Sequence, residues 1–136
     1  MCIRDRDNTN WYVNDEAGVS IYFCNETQPC TPASFGLSAL ITDADVGGDG
    51  TTMATPAPFL VDPLDTSQFL IGTCRVWRGP IDGVGWSGAN AISPILDSGA
   101  SDVSCSGDSL IRSMAALVVP GGGEVVYVGM YGSRCV

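Results

Sequence analysis

The most constraining feature of this sequence is a strand–turn–strand pattern that occurs twice. The segments FLVDPLDTSQFLIG and AALVVPGGGEVVYVG align at an offset of 57 residues, so that Pro63 matches Pro120 and Gly72 matches Gly129 without a gap. Each copy has an apolar run, a turn of proline with polar or glycine residues, and a second apolar run, which is typical of a β-hairpin. A repeat of this length favours an array of similar β units over one continuous sheet.

The remaining segments extend the same pattern along the chain. WYVNDEAGVSIYFC predicts an earlier, looser copy with a strand on each side of a turn at residues 15–18. In the central copy, strands are predicted at 58–62, 68–73 and 75–78, and a less clear fourth near Trp86 or at 91–96. Four short antiparallel strands in 40 to 60 residues are typical of one blade of a β-propeller. GDSLIRSMAALVV, the one segment that could pass for a helix, is predicted to be a loop followed by a strand.

Composition removes several classes of function. The chain has six Arg, no Lys, no His and fifteen acidic residues, for a net charge of −9. Nucleic-acid binding needs a basic face, so a nucleic-acid partner is excluded. Without His there is no Ser-His-Asp chemistry, and without Lys there is no Schiff base or P-loop. Any catalysis would depend on carboxylates, Tyr, Arg or Cys.

The cysteine spacing favours disulfides over a zinc site. None of the six cysteines forms a C-x-x-C pair, and no His accompanies them. Cys24 and Cys30 bracket the short polar segment NETQP, which predicts a disulfide closing that loop, and Cys74 with Cys105 is a second candidate pair. The alternative is buried free thiols. Disulfides would place the protein in an oxidising compartment, extracellular or periplasmic.

The chain contains no apolar run of the roughly 18 residues that a membrane span requires. Residues 1–6, MCIRDR, resemble translated sequencing-adapter sequence and are left out of the fold prediction. The expected organisation is the end of one blade at 7–48, a full blade at 49–108 and the start of the next at 109–136, so that the apolar faces of the outer sheets would be exposed.

The segments VGGDGTTMATPAPFLVDP and FLIGTCRVWRGPIDGVGW carry a resemblance to the BNR/Asp-box β-propellers of the sialidase-like superfamily, which extends over roughly residues 11–132. The resemblance implies an all-β fold, a partial β-propeller of two to three blades. The family's Asp-box reads S-x-D-x-G-x-T-W, and Asp82, Gly83, Gly85 and Trp86 form a degenerate version of it. The implied role is structural, because the carboxylate accepts hydrogen bonds from turn amides and the Trp ring packs against a sheet.

Three acids in TDADVGGDG suggest a calcium site. Asp43, Asp45 and Asp49 have the spacing of positions 1, 3 and 7 of an EF-hand loop, with Gly48 at position 6, but Ala54 stands where the bidentate Glu is needed. The EF-hand hypothesis therefore fails. A looser calcium site remains, against the alternative of an Asp that caps a glycine turn.

Two further candidate sites follow from the resemblance. Asp49 would lie in a loop near the central channel of a propeller, which makes it the candidate for a catalytic or ligand contact. Arg75, Trp77 and Arg78 form a candidate ligand-binding patch, since guanidinium groups bind carboxylates bidentately. The alternative is that these arginines pair with nearby acids of the same fold.

The sequence therefore predicts a secreted propeller module that binds carbohydrate or protein, or that acts as a scaffold beside the remaining blades of the same chain. The alternative is a portion of a glycoside hydrolase of sialidase-like or xyloglucanase-like type. Such an enzyme needs a carboxylate pair, or a Tyr nucleophile with an acid partner, at the channel. Calcium is the one cofactor considered.

Overall fold

The computed structural model describes residues 2–4, 10–14, 16–25, 30–36, 38–96, 105 and 110–130, with only the backbone for 2–4. These residues form nine strands in three antiparallel sheets, together with two short 3-10 helices, Asp49–Thr52 and Gly88–Asn90. The all-β prediction is confirmed. Among the described residues there is no helix long and apolar enough to cross a membrane.

The first sheet has four strands in the order β1-β2-β3-β4. They are β1 (Cys2–Arg4), β2 (Asn10–Asn14), β3 (Ser20–Asn25) and β4 (Ile41–Thr42). The strands predicted on either side of the turn at 15–18 are thus present as β2 and β3. Residues 1–6, left out of the fold prediction, instead contribute β1, which pairs with β2 in antiparallel register.

The second sheet contains β5 (Phe59–Val61), β6 (Gln68–Gly72) and β7 (Val76–Pro80) and confirms the first three strands predicted for the central copy. The fourth predicted strand is wrong, because the segment 91–96 makes only an isolated bridge from Ala91 to Trp77. The amide of Ile92 still donates to the carbonyl of Val76 in β7, and the amide of Leu96 donates to the carbonyl of Cys74, at 2.9 Å each. Pro94 lies between them and has no N–H to donate, so a regular ladder cannot form.

The third sheet is the hairpin of β8 (Ile111–Val119) and β9 (Gly123–Met130). Its first strand confirms the interpretation of GDSLIRSMAALVV as a loop that leads into a strand. Both copies of the repeat are hairpins, but their registers differ: Phe59 pairs with Ile71, whereas Ala116, 57 residues later, pairs with Val126 and not with Val128. The glycine-rich turn after Pro120 is tighter, and register in a hairpin follows from loop length.

The β5–β7 sheet is the middle layer, because both of its faces are covered. One face packs against the first sheet. There the ring of Phe69 meets the ring of Tyr12 on β2 edge to face, with the centroids 4.8 Å apart, and it meets the ring of Phe59 on the neighbouring strand β5 in the same way at 5.5 Å. The other face, with Leu70 and Val76, packs against the β8–β9 hairpin. Because side chains alternate along a strand, successive residues of β6 and β7 lie on opposite faces of the middle sheet. They therefore belong to two different hydrophobic cores, one against the first sheet and one against the hairpin.

The outer face of the β8–β9 hairpin is apolar and open to solvent. Leu117 pairs with Val125 and Ala115 pairs with Tyr127, and Tyr127 is 55% exposed. An apolar outer sheet face was expected from the sequence, and the hairpin has one.

Candidate functional site

Asp49, the catalytic candidate, begins the first 3-10 helix and lies next to the second sheet. Gly48 precedes it in a left-handed conformation, with φ of +79°, which turns the chain inward so that Asp49 is only 8% exposed. Its Oδ2 lies 2.7 Å from Nε of Arg75, and the hydroxyl of Thr73 donates to the same oxygen at 3.3 Å. The carboxylate is thus held by a charge-assisted hydrogen bond inside the protein.

Arg75 and Trp77 lie together in the same cluster. The guanidinium carbon of Arg75 lies 5.5 Å from the ring centroid of Trp77, within the range of a cation–π contact. Trp77 is buried, and its Nε1 donates to Oγ1 of Thr73 at 2.9 Å. The structure therefore brings together three predicted site residues, Asp49, Arg75 and Trp77, but the guanidinium of Arg75 is paired with Asp49.

The cysteine pair beside Asp49 is a disulfide and not a metal site. Sγ of Cys74 lies 3.7 Å from Oδ2 of Asp49, and Cys74 is bonded to Cys105 with their Cα atoms 5.5 Å apart. A disulfide sulfur has neither a proton to donate nor the thiolate that a metal ion requires. The second predicted pair, Cys24–Cys30, is also at disulfide distance, with Cα atoms 6.1 Å apart. Both predicted pairings are confirmed.

The three acids of the calcium hypothesis have separate partners. Oδ1 of Asp43 accepts the amide of Val19 at 2.7 Å. Oδ2 of Asp45 accepts both the amide and the hydroxyl of Thr42, at 2.8 and 2.9 Å. With Asp49 paired to Arg75, these carboxylates do not form a close acidic group among the described residues. The calcium site stays a prediction.

Arg78 lies on the opposite face of the middle sheet, away from Arg75. Its Nε is 2.7 Å from Oδ2 of Asp62, without the alignment of a hydrogen bond, and its terminal nitrogen contacts Oε2 of Glu124 on β9. The side chains of Asp62 and Glu124 are 1% and 5% exposed. We call these three residues the Arg78 cluster; it connects the middle sheet to the hairpin.

The surroundings of Glu124 in this cluster raise the pKa of its carboxyl group. Burial raises its pKa above the usual 4.5, and the neighbouring carboxylate of Asp62 raises it further. The guanidinium of Arg78 acts in the opposite direction but does not cancel these effects. Asp62 and Glu124 were not among the predicted site residues, although each is an acid beside a predicted turn.

The residues predicted to form a degenerate Asp-box lie in a tight turn after β7. Oδ1 of Asp82 accepts the amide of Val84 at 3.0 Å, and Gly83 and Gly85 have φ of +77° and +84°. Trp86 donates from Nε1 to the carbonyl of Pro80 at 2.9 Å. Its ring covers the sheet so closely that a Cβ at Gly79 would lie 2.5 Å from it. These residues all have structural roles in the turn.

A groove that the sequence did not indicate lies on the outer face of β2 and β3. Its volume is ≈ 370 Å³, and its walls are two strand residues, one turn residue and the loop after the first disulfide. The lining residues are Val13, Glu16, Tyr22, Cys30, Thr31, Pro32, Phe35 and Gly36. We call it the Tyr22 groove. Its two walls come from segments that meet only in the folded chain, so no sequence pattern pointed to it.

No protein-family model matches this chain, and no match is found among curated proteins or solved structures.

Proposed function

We propose that this chain is part of a secreted β-propeller and acts as a module for binding or scaffolding. Three features support the proposal: the all-β fold, the stacking of three antiparallel sheets face to face, and two disulfides that suit an oxidising compartment. Propeller blades are antiparallel sheets arranged in this manner, and the fold alone does not determine the function.

The observation that carries the proposal is that the candidate reactive groups neutralise one another inside the fold. Arg75 is paired with Asp49, and Arg78 lies between Asp62 and Glu124. An arginine that clamps a ligand carboxylate must present its planar fork to that ligand. Here both arginines contact acids of the same chain, which favours a structural role.

The fold brings together a pair of carboxyl groups, those of Asp62 and Glu124. Their arrangement does not favour the alternative, a portion of a glycoside hydrolase. Two catalytic carboxyl groups of a glycosidase stand about 5 Å or more apart and flank the bond to be broken. Asp62 and Glu124 instead contact the same guanidinium, that of Arg78, and their side chains are almost completely buried. A sugar could not enter between them without separating the hairpin from the middle sheet.

Parallel assays of turnover and binding on the purified chain test this proposal. We expect no release of fluorophore from a 4-methylumbelliferyl sialoside and no new reducing ends from xyloglucan, but saturable retention on a glycan or peptide array. Turnover that is abolished by Asp49→Asn or Glu124→Gln would establish the enzyme instead. An absence of saturable retention on both arrays would contradict the binding role.

A further inference from the structure

The Tyr22 groove is a built feature of the fold. Val13 and Tyr22 are cross-strand partners, so their side chains lie next to each other on the face of the first sheet that points away from the core. The loop 30–36 forms the facing wall. The Cys24–Cys30 disulfide and a hydrogen bond from the Gly36 amide to the carbonyl of Phe23, at 3.3 Å, hold this loop to β3.

The walls of the groove are largely apolar and aromatic. Tyr22 and Phe35 are half-buried, and Val13 and Pro32 extend the apolar surface between them. The face of an aromatic ring carries a negative quadrupole that attracts a cation, and its apolar surface packs against an alkyl chain.

Among the described residues, one acidic side chain, that of Glu16, lines the groove, and it is exposed. The hydroxyl of Tyr22 donates to Oε1 of Glu16 at 3.4 Å, a long contact that uses one of about four acceptor positions of a carboxylate. In the part of the chain that the structure describes, no arginine is among the lining residues. The net charge of −9 adds a field that favours the approach of positive groups.

Other ligand classes fit the groove less well. An anion would be repelled by Glu16 and by the net charge of the chain. A neutral sugar is normally held by several well-placed polar groups. The groove offers Thr31 as well as Glu16, but the hydroxyl of Thr31 is already hydrogen-bonded to that of Ser34 at 2.9 Å.

We propose that the Tyr22 groove binds the side chain of a lysine or arginine from an extended segment of a partner polypeptide, with the alkyl stem along Tyr22 and Phe35 and the cationic end at Glu16. This inference rests on the proposed binding function and names its ligand class. A groove of ≈ 370 Å³ has room for such a side chain and part of its backbone. Charge complementarity selects the ligand, and the aromatic walls supply the contact area.

The test is a titration followed by NMR on the Tyr22 and Phe35 ring signals. The probes are an extended five-residue peptide with a central lysine and the same peptide with norleucine, which keeps the alkyl stem and removes the charge. We expect saturable shifts with the lysine peptide and about fivefold weaker binding in Glu16→Gln, as for a carboxylate–cation contact of ordinary strength. Phe35→Leu, which keeps apolar bulk and removes a ring, is expected to weaken binding about threefold.

Asp82→Asn is the matched control, because it removes the same charge elsewhere. Asp82 borders a separate pocket with Tyr12 and Phe23, residues of the opposite face of β2 and β3. The Asp82→Asn variant should therefore bind the lysine peptide with unchanged affinity. Equal losses in Glu16→Gln and Asp82→Asn, or equal affinity for the norleucine peptide, would overturn the proposal.

Two further probes distinguish a polypeptide ligand from a small amine and from a carbohydrate. Binding of n-butylammonium as tight as that of the lysine peptide would replace the polypeptide with a small amine. Shifts with a neutral cello-oligosaccharide that persist in Glu16→Gln would replace it with a carbohydrate. If no probe shifts the two rings while the arrays still retain the chain, this inference fails and the proposed binding function stands.

Discussion

Arg78 on β7 contacts Glu124 on β9, 46 residues further along the chain, and Asp62 at the end of β5 lies against both. One guanidinium thus joins the middle sheet to the hairpin at a point where two carboxyl groups are buried. Its removal would leave those carboxyl groups without a counter-ion, so the Arg78 cluster should contribute strongly to stability.

We expect Arg78→Met to lower the free energy of unfolding by about 3 kcal/mol at neutral pH, because it leaves two buried acids uncompensated. Urea denaturation monitored by fluorescence measures the loss. Arg112→Met is the control: Arg112 is an exposed arginine that contacts the hydroxyl of Thr55, and its replacement should cost less than about 1 kcal/mol. Similar losses in the two variants would contradict the assigned role of Arg78.

The raised pKa of Glu124 predicts a pH dependence of stability. Between the usual value of 4.5 and the raised value, the Glu124 carboxyl binds more protons in the folded state than in the unfolded state. The stability that Glu124 contributes is therefore fully present below 4.5 and is lost as pH increases through the window. Glu124→Gln cannot ionise, and its stability should stay flatter over the same range. Urea midpoints measured from about pH 4 to pH 8 provide the test.

Asp65 affects the pH dependence of stability in the opposite direction, and at lower pH. Hydrogen bonds from Ser67, and then from Gln68, lower its pKa below 3.8, so its contribution is present above that value and is lost as pH falls. A wild-type stability that rises relative to that of Glu124→Gln between about pH 5 and pH 7 would contradict the raised pKa of Glu124.

The two disulfides should differ in their contributions to stability. Cys74 and Cys105 are 31 positions apart and Cys24 and Cys30 are 6 apart, so the first removes more entropy from the unfolded chain. We expect a loss of about 3.5 kcal/mol for Cys74→Ala with Cys105→Ala, and about 2.5 kcal/mol for Cys24→Ala with Cys30→Ala. Denaturation of both double variants gives the comparison. A larger loss from the short loop would show that local packing, and not loop entropy, determines the order.

Gly50 and Gly48 should respond differently to alanine. A Cβ at Gly50 would lie 1.8 Å from Oδ1 of Asp43, the oxygen that accepts the Val19 amide, whereas a Cβ at Gly48 meets nothing within 4 Å. We expect Gly50→Ala to cost about 3 kcal/mol and to expose the Val19 amide to hydrogen exchange. Gly48→Ala carries only the penalty of its positive φ, about 1 kcal/mol. Retained protection of Val19 in Gly50→Ala would contradict the role given to Asp43.

Calcium should leave the melting temperature unchanged. Asp43, Asp45 and Asp49 each accept hydrogen bonds or an ion pair at separate places, so an ion would have to displace these partners before it could gather the three carboxylates. Thermal unfolding with millimolar calcium and with EDTA measures the effect. An increase in melting temperature that Asp45→Asn abolishes would establish the calcium site.

Much of the local structure could be predicted from the residues alone. Apolar runs punctuated by proline and glycine indicated the hairpins, and short spacing across a polar loop indicated Cys24–Cys30. The fourth strand near 91–96 was wrong, because one proline removes the donor that the ladder needed. The repeat indicated two hairpins but not their different registers, which depend on the length of each turn.

The sequence by itself determined the strand segments, the turns and the alternation that assigns each residue to one face of its sheet. Only the tertiary structure decided which charged groups meet. Arg75 and Arg78 lie three positions apart, yet one pairs with Asp49 and the other contacts Glu124 on the opposite face of the middle sheet. Alternation and turn chemistry act between neighbours in the chain, whereas these pairs, like the two walls of the Tyr22 groove, depend on how separate segments stack.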